Sequence, residues 1–257
     1  LTVWTIALIV LCMFFARTVA MAMNRWADAG YDAANPRTAR RAIPAGKLTR
    51  GWVLGAAGVC SAAFVLCAAG FWWLNDNPWP LILSPAVLAW LGAYSFMKRF
   101  TFMCHVFLGS ALAMSPIAAS IAVGPGYLAS AEPWLLALMV MCWVAGFDVI
   151  YALQDVAVDR ELGISSMPSK LGTEAALWIS RLLHGIAVAS LVTLVIVSPQ
   201  LSIGFAVGTA AMVVLLIVEH ALVWGSKTHH ISMAFFTLNG IISLLLGGLG
   251  IVDVLMR

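Results

Sequence analysis

The sequence predicts an all-α fold, a polytopic bundle of membrane-spanning helices, on three observations. The 257 residues are 63% hydrophobic and only 10% charged, whereas a soluble domain averages roughly half apolar and a quarter charged. Mean hydropathy is +0.99. Apolar segments recur along the chain, each long enough to cross ~30 Å of hydrocarbon as a helix, and the alternating segments of a membrane β-barrel are absent.

Eight spans follow, at about 1–23, 51–73, 80–97, 102–123, 133–154, 173–197, 201–225 and 231–255. The first opens on Leu1 already inside an apolar run, too long and too abruptly followed by polar sequence to be a secretory leader. A further N-terminal helix, making nine, is therefore expected in the intact protein. Turn-forming text separates the other spans: Asn75-Asp76-Asn77-Pro78 after the second, Gly124-Pro125-Gly126 after the fourth, Ser198-Pro199 after the sixth. Two connections are longer, 24–50 and 155–172, and the simplest organisation is one membrane domain over 1–257. The cysteines (Cys12, Cys60, Cys67, Cys104, Cys142) all fall in apolar helices without a Cys-x-x-Cys pair, as packing thiols do. Trp72, Trp73, Trp79 and Trp134 stand near span ends, where tryptophan anchors helices at the interface.

The basic residues orient the chain. Arg25, Arg37, Arg40, Arg41, Lys47, Arg50, Lys98, Arg99, Arg160, Lys170 and Lys227 all fall in connections on one side, and the other side holds only Arg257. Arg17 and Arg181 lie within spans. By the positive-inside rule the basic side is cytoplasmic. The protein is thus expected in the cell inner membrane with both long loops, and its chemistry, facing the cytoplasm. No nucleic acid is expected as a partner.

The scarce acids cluster on that side. In DVIYALQDVAVD (148–159), a regular helix at about 100° per residue would put Asp148, Tyr151, Asp155 and Asp159 on one face. In NRWADAGYD (24–32), Asn24, Asp28 and Asp32 likewise share a face. Asn24 aligns with Tyr151, Asp28 with Asp155 and Asp32 with Asp159, at a constant offset of 127 residues with four spans between. That register describes a parallel internal duplication with two acidic helix ends on the same side. Gly30 inside the first stretch disfavours a helix interior by about 1 kcal/mol against Ala, so the helix is expected to end early there.

Carboxylates at i and i+4 beside a bilayer repel unless a cation lies between them, and ionised groups there usually mark function. Asp and Asn oxygens suit hard cations, and Mg²⁺ prefers one or two carboxylates together with phosphate oxygens and water. Arg37, Arg40, Arg41, Lys98 and Arg99 can bind the outer oxygens of a diphosphate. Acids for metal and bases for phosphate together describe a Mg²⁺-diphosphate site. Two matched copies speak against ordinary solvated helix ends.

These residues resemble the UbiA superfamily of intramembrane aromatic prenyltransferases. That family carries N/D-x-x-x-D-x-x-x-D after its second helix and D-x-x-Y-A-x-x-D-x-x-x-D after its sixth. The likeness extends to NPRTARRAIPAGK (35–47), YSFMKRFT (94–101) and GISSMPSKLG (163–172) and covers nearly the whole chain. The branches most alike are the 4-hydroxybenzoate polyprenyltransferases and the related enzyme of the futalosine route to menaquinone. Arg25 in place of the usual Asp, with the phrase NPRTA, leans toward the second.

The resemblance implies a nine-helix bundle whose central cavity is capped by cytoplasmic loops. It also implies Mg²⁺-dependent transfer of a polyprenyl group from polyprenyl diphosphate to an aromatic hydroxy acid, in ubiquinone or menaquinone biosynthesis. Asn24, Asp28 and Asp32, with Asp155 and Asp159, would hold two Mg²⁺ ions on the diphosphate. Arg41 and Lys98 would bind the same group, and Tyr151 would donate to it. Asp148 would stabilise the allylic cation or take up the ring proton, and the loop after Asp32 is the candidate lid. The inter-helix apolar surface would accommodate the isoprenoid tail.

Other polar residues are assigned by position. Arg17, seven residues before Asn24, is the candidate for the acceptor's carboxylate, with internal pairing to Asp148 or a backbone carbonyl as the alternative. His105 is a candidate pocket residue. Arg181 and His184 could contact substrate or pack. Glu219 with His220, and Asn239, are expected to hydrogen-bond within the bundle. His229 and His230 are expected in solvent beside Lys227. The alternative function is a cation-coupled transporter using the acid pairs as an ion site, but that class places acids at mid-membrane, often in inverted repeats.

Overall fold

A computed structural model of the chain describes residues 2–224, 231 and 233–256, with the side chains of 233–235 excepted. Lys227, His229, His230 and Arg257 lie outside the described residues. Every regular element described is helical. Eight helices are long and apolar enough to cross a membrane, from Val3–Ala34 to Phe236–Leu255, and they match the eight expected spans, with the first and the fifth running on past their expected ends to Ala34 and Glu161. The chain is a multi-pass membrane protein.

The contacts divide the chain into two compact units. The first comprises Leu1–Phe100 and Met114–Ala129, the second Thr101–Ala113 and Ser130–Arg257.

In the first unit, α1 (Val3–Ala34) packs on α2 (Arg50–Asn75) and α3 (Trp79–Ala93). The Thr2 and Thr49 hydroxyls cap α1 and α2 by accepting from Thr5 N and Trp52 N. Asp76 ends α2 in the left-handed conformation, φ 53°, which short polar side chains tolerate. Asn77 then donates to the Ile121 carbonyl at 2.7 Å, anchoring the turn. Helix α3 tightens into a 3₁₀ segment, Tyr94–Arg99, which carries Lys98 and Arg99 back against α1.

Helix α1 differs from expectation at its end. It runs unbroken through Gly30 to Ala34. Its 32 residues span about 48 Å, well beyond the ~30 Å of hydrocarbon, so its last turns project with the acids on them. The cost of Gly30 is offset by contacts below it. The Thr38 hydroxyl donates to the Asp32 carbonyl at 3.1 Å, and the Asn35 amide donates to the Tyr31 carbonyl at 3.2 Å.

Helix α4 (Cys104–Val123) contributes its first half to the second unit and its second half to the first. The second unit contains α5 (Glu132–Ala152), the short α6 (Val156–Glu161) and α7 (Met167–Leu171), then α8 (Thr173–Val197), α9 (Ile203–Leu222) and α10 (Asn239–Leu255). Its apolar core draws Trp143, Leu191, Met212 and Ile242 from α5, α8, α9 and α10. Lipid tails are as apolar as these side chains, so packing and interhelical hydrogen bonds must supply the association. Trp143 Nε1 donates to Asn239 Oδ1 at 2.8 Å, and Asn239 Nδ2 donates to Glu219 Oε1 at 3.2 Å. His184 Nδ1 lies 3.0 Å from His220 Nε2. Asp253 accepts from the Ser202 and Phe205 amides, both at 2.8 Å, and so caps α9 from α10. The expected internal roles of Glu219, His220 and Asn239 are therefore met, and His184 is buried against His220. Arg181 stacks on the Trp178 and Trp224 rings.

Candidate active site in two acidic clusters

The first cluster lies on the projecting end of α1. Asp28 and Asp32 are one turn apart and both buried. Each carboxylate divides its oxygens in the same way. Oδ2 of Asp28 meets Lys98 Nζ at 2.6 Å and accepts from Asn24 Nδ2 at 3.2 Å, while Oδ1 is buried without a partner. Oδ1 of Asp32 meets Arg41 Nη1 at 2.6 Å, while Oδ2 is buried without a partner. Leaving a buried ionised oxygen unmet costs several kcal/mol in order of magnitude, so each acid is built to receive something further.

The two bases arrive from different segments. Lys98 comes from the 3₁₀ end of α3, held in place by Arg99, which donates to the Ala27 carbonyl at 2.6 Å and covers the Tyr31 ring. Arg99 is thus engaged with α1, and only Lys98 of the pair reaches a carboxylate. Arg41 comes from the loop after α1, whose successive turns begin where Asn35 Oδ1 accepts from the Arg37 amide. Arg17 lies on the same helix as Asn24, with an exposed side chain that meets no partner among the described residues.

The second cluster departs from the regular helix assumed for its sequence. Helix α5 stops at Ala152, Leu153–Asp155 is a 3₁₀ turn, and α6 resumes at Val156. A 3₁₀ turn advances about 120° per residue, so Asp155 and Asp159 are rotated by roughly 60° relative to Asp148 from a regular-helix position. The arc that Asp148, Tyr151, Asp155 and Asp159 would share on a uniform helix is therefore widened. Asp159 is buried, and its Oδ2 accepts from the Ser166 hydroxyl at 2.7 Å. Ser166 is the N-cap of α7 and forms a capping box with Ser169. Asp155 is half-buried at the junction of the 3₁₀ turn and α6. Tyr151 packs its ring edge-on against Phe236.

Asp148 has a partner that sequence reasoning did not pair with it. His105 Nδ1 lies 2.7 Å from Asp148 Oδ2. The two are 43 positions apart, on α4 and α5, and no local spacing signals their meeting. Ser166 was similarly visible only as part of a matched block.

The donor set fits Mg²⁺. The candidate ligands are all oxygens, and two of the carboxylate oxygens are buried without partners. Among the described residues no group of three or more His, Cys, Asp or Glu could hold a metal by itself.

Comparison with known proteins identifies the family. Residues 1–241 match the UbiA prenyltransferase family. The 4-hydroxybenzoate octaprenyltransferase of Chromohalobacter salexigens is 30% identical over 90% of this chain and 74% of its own length. That of Citrobacter koseri is 32% identical over 75% of this chain, which spans 63% of that relative. An apo UbiA homolog from Aeropyrum pernix K1 superposes with a TM-score of 0.89 at 31% identity, covering 98% of this chain and 90% of that one. A UbiA homolog from Archaeoglobus fulgidus, solved bound to DMAPP and Mg²⁺, shares the fold at a TM-score of 0.75 and 16% identity, over 100% of this chain and 89% of that one. The chain therefore belongs to the UbiA prenyltransferase family, and with it to the enzymes that transfer prenyl groups.

Proposed function

We propose that this protein transfers a polyprenyl group from polyprenyl diphosphate to an aromatic hydroxy acid in quinone biosynthesis, working as one membrane domain with its site on the cytoplasmic face. The observation that carries this reading is the matched division of Asp28 and Asp32, each with one oxygen on a base and the other buried and open. Metal-binding oxygens and phosphate-binding cations alternate there, as a metal diphosphate requires.

Asn24, Asp28 and Asp32, with Asp155 and Asp159, would together hold two Mg²⁺ ions. When bound, Mg²⁺ supplies Lewis-acid charge that stabilises the departing diphosphate. Lys98 and Arg41 bind diphosphate oxygens, and the Tyr151 hydroxyl donates to another. The allylic C–O bond breaks with its electron pair on the diphosphate. The ring's π electrons form the new C–C bond, and the ring proton passes to the Asp148 carboxylate. Arg17 binds the acceptor's carboxylate. The named relatives favour 4-hydroxybenzoate, and the NPRTA text favours a dihydroxynaphthoate. No observation favours the transporter alternative.

The test uses membranes containing the full chain, with Mg²⁺, a polyprenyl diphosphate, and 4-hydroxybenzoate or 1,4-dihydroxy-6-naphthoate. Product is followed by mass spectrometry beside Asp155→Ala. Prenylated product from one acceptor, lost in the variant, is the expected result. A folded protein that releases no diphosphate from a range of donors overturns the reading.

A further inference from the structure

His105 is buried on α4 and makes two hydrogen bonds that fix its state. Its Nε2 lies 3.2 Å from the Met167 backbone nitrogen. An amide N–H can only donate, so Nε2 is the acceptor. The ring proton of a neutral imidazole is then on Nδ1, which faces Asp148 Oδ2 at 2.7 Å and donates to it. No other hydrogen bond reaches the Asp148 side chain among the described residues, so His105 alone sets its orientation.

The same turn that holds His105 also holds a candidate metal ligand. Met167 follows Ser166, whose hydroxyl donates to Asp159 Oδ2 at 2.7 Å. Cys104, next to His105, donates from Sγ to the Ser165 carbonyl at 3.4 Å. The segment 163–172 therefore braces Asp159 directly and Asp148 through the imidazole.

We propose that His105 is a positioning residue for prenyl transfer, a neutral, tautomer-locked bridge that aims the Asp148 carboxylate at the acceptor ring. It relays no proton, because its second nitrogen is occupied by the Met167 amide. This inference rests on the prenyl-transfer reading of the site. Glutamine reproduces the bridge, since its Nε2 can donate to Asp148 while its Oε1 accepts from Met167. Leucine keeps similar bulk and removes both bonds.

The experiment compares wild type, His105→Gln, His105→Leu and Asp148→Asn in full-length protein with Mg²⁺, a polyprenyl diphosphate and both acceptors, with folding checked by size exclusion. A positioned base contributes ~10²–10⁴-fold, and misaiming it forfeits part of that. His105→Leu is expected to lower kcat by about 10- to 100-fold with the donor KM within about twofold. His105→Gln should stay within about threefold of wild type. In ¹⁵N-histidine-labelled protein, with His105→Gln for assignment, the His105 signal should show a protonated Nδ1 and an unprotonated Nε2.

An unchanged kcat in folded His105→Leu overturns the proposal. So does a loss in His105→Gln as large as in His105→Leu, or an Nε2–H tautomer. If His105→Leu does not fold, the glutamine variant and the nitrogen spectrum decide. If wild type forms no product with either acceptor, the function reading fails, and the tautomer alone then tests the bridge.

Discussion

Lys98 Nζ stands 2.6 Å from Oδ2 of Asp28 and leaves Oδ1 of the same carboxylate buried without a partner. The base neutralises the acid from one side and keeps the other side open. Asp32 repeats the arrangement with Arg41. Removing the charge while keeping the shape should therefore abolish metal binding without unfolding α1. Asp28→Asn and Asp32→Asn are each expected to lower product formation by ~10²-fold or more, the scale of losing one group that stabilises transition-state charge. Product formation titrated against MgCl₂, beside far-UV circular dichroism, checks it.

The bases should report on donor binding. Charge-assisted hydrogen bonds contribute ~1.5–3 kcal/mol, so Lys98→Met and Arg41→Met should each raise the donor KM by about 10- to 100-fold. Arg99→Met should instead destabilise the contact between the 3₁₀ segment and α1, because Arg99 donates to the Ala27 carbonyl. Initial rates over a range of donor concentrations, with thermal unfolding in detergent, separate the two effects.

Chelation should stop turnover and leave the helices intact. Lys98 and Arg41 already neutralise Asp28 and Asp32, so excess EDTA should abolish product without changing helix content. Added Mg²⁺ should restore it. Loss of helix content on chelation would mean that the metal is structural.

Packing in the second unit should be sensitive where backbones approach closely. A Cβ on Gly109 would collide with the Met141 carbonyl, while one on Gly240 would meet nothing within 4 Å. Gly109→Ala is expected to cost about 1–3 kcal/mol through overpacking, and Gly240→Ala to stabilise by up to ~1 kcal/mol through helix propensity. Midpoints of thermal unfolding in detergent measure both.

Asn239 links Trp143 to Glu219. Asn239→Ala leaves an indole N–H and a carboxylate oxygen without these partners, and interhelical hydrogen bonds in membranes are each worth about 0.6–2 kcal/mol. A loss of ~1–3 kcal/mol is expected, read by the same unfolding measurement.

The sequence by itself determined the class and most of the local chemistry. Hydropathy alone specifies spans, because bilayer thickness imposes a minimum apolar length on any helix that crosses it. The repeat that aligns Asp28 with Asp155 and Asp32 with Asp159 is a statement about spacing, and spacing is written in the chain. Tertiary structure decided what spacing cannot carry. Helix α1 continues past Gly30 because Thr38 and Asn35 fold back under Asp32 and Tyr31. The turn at Leu153–Asp155 tightens to 3₁₀ and rotates Asp155 away from the regular-helix position. Arg99 is spent on a backbone carbonyl while Lys98 reaches an acid. His105 meets Asp148 because α4 and α5 lie together with the Met167 turn beside them. Each of these depends on which surfaces pack, and contacts between residues far apart in sequence have no period from which they can be read.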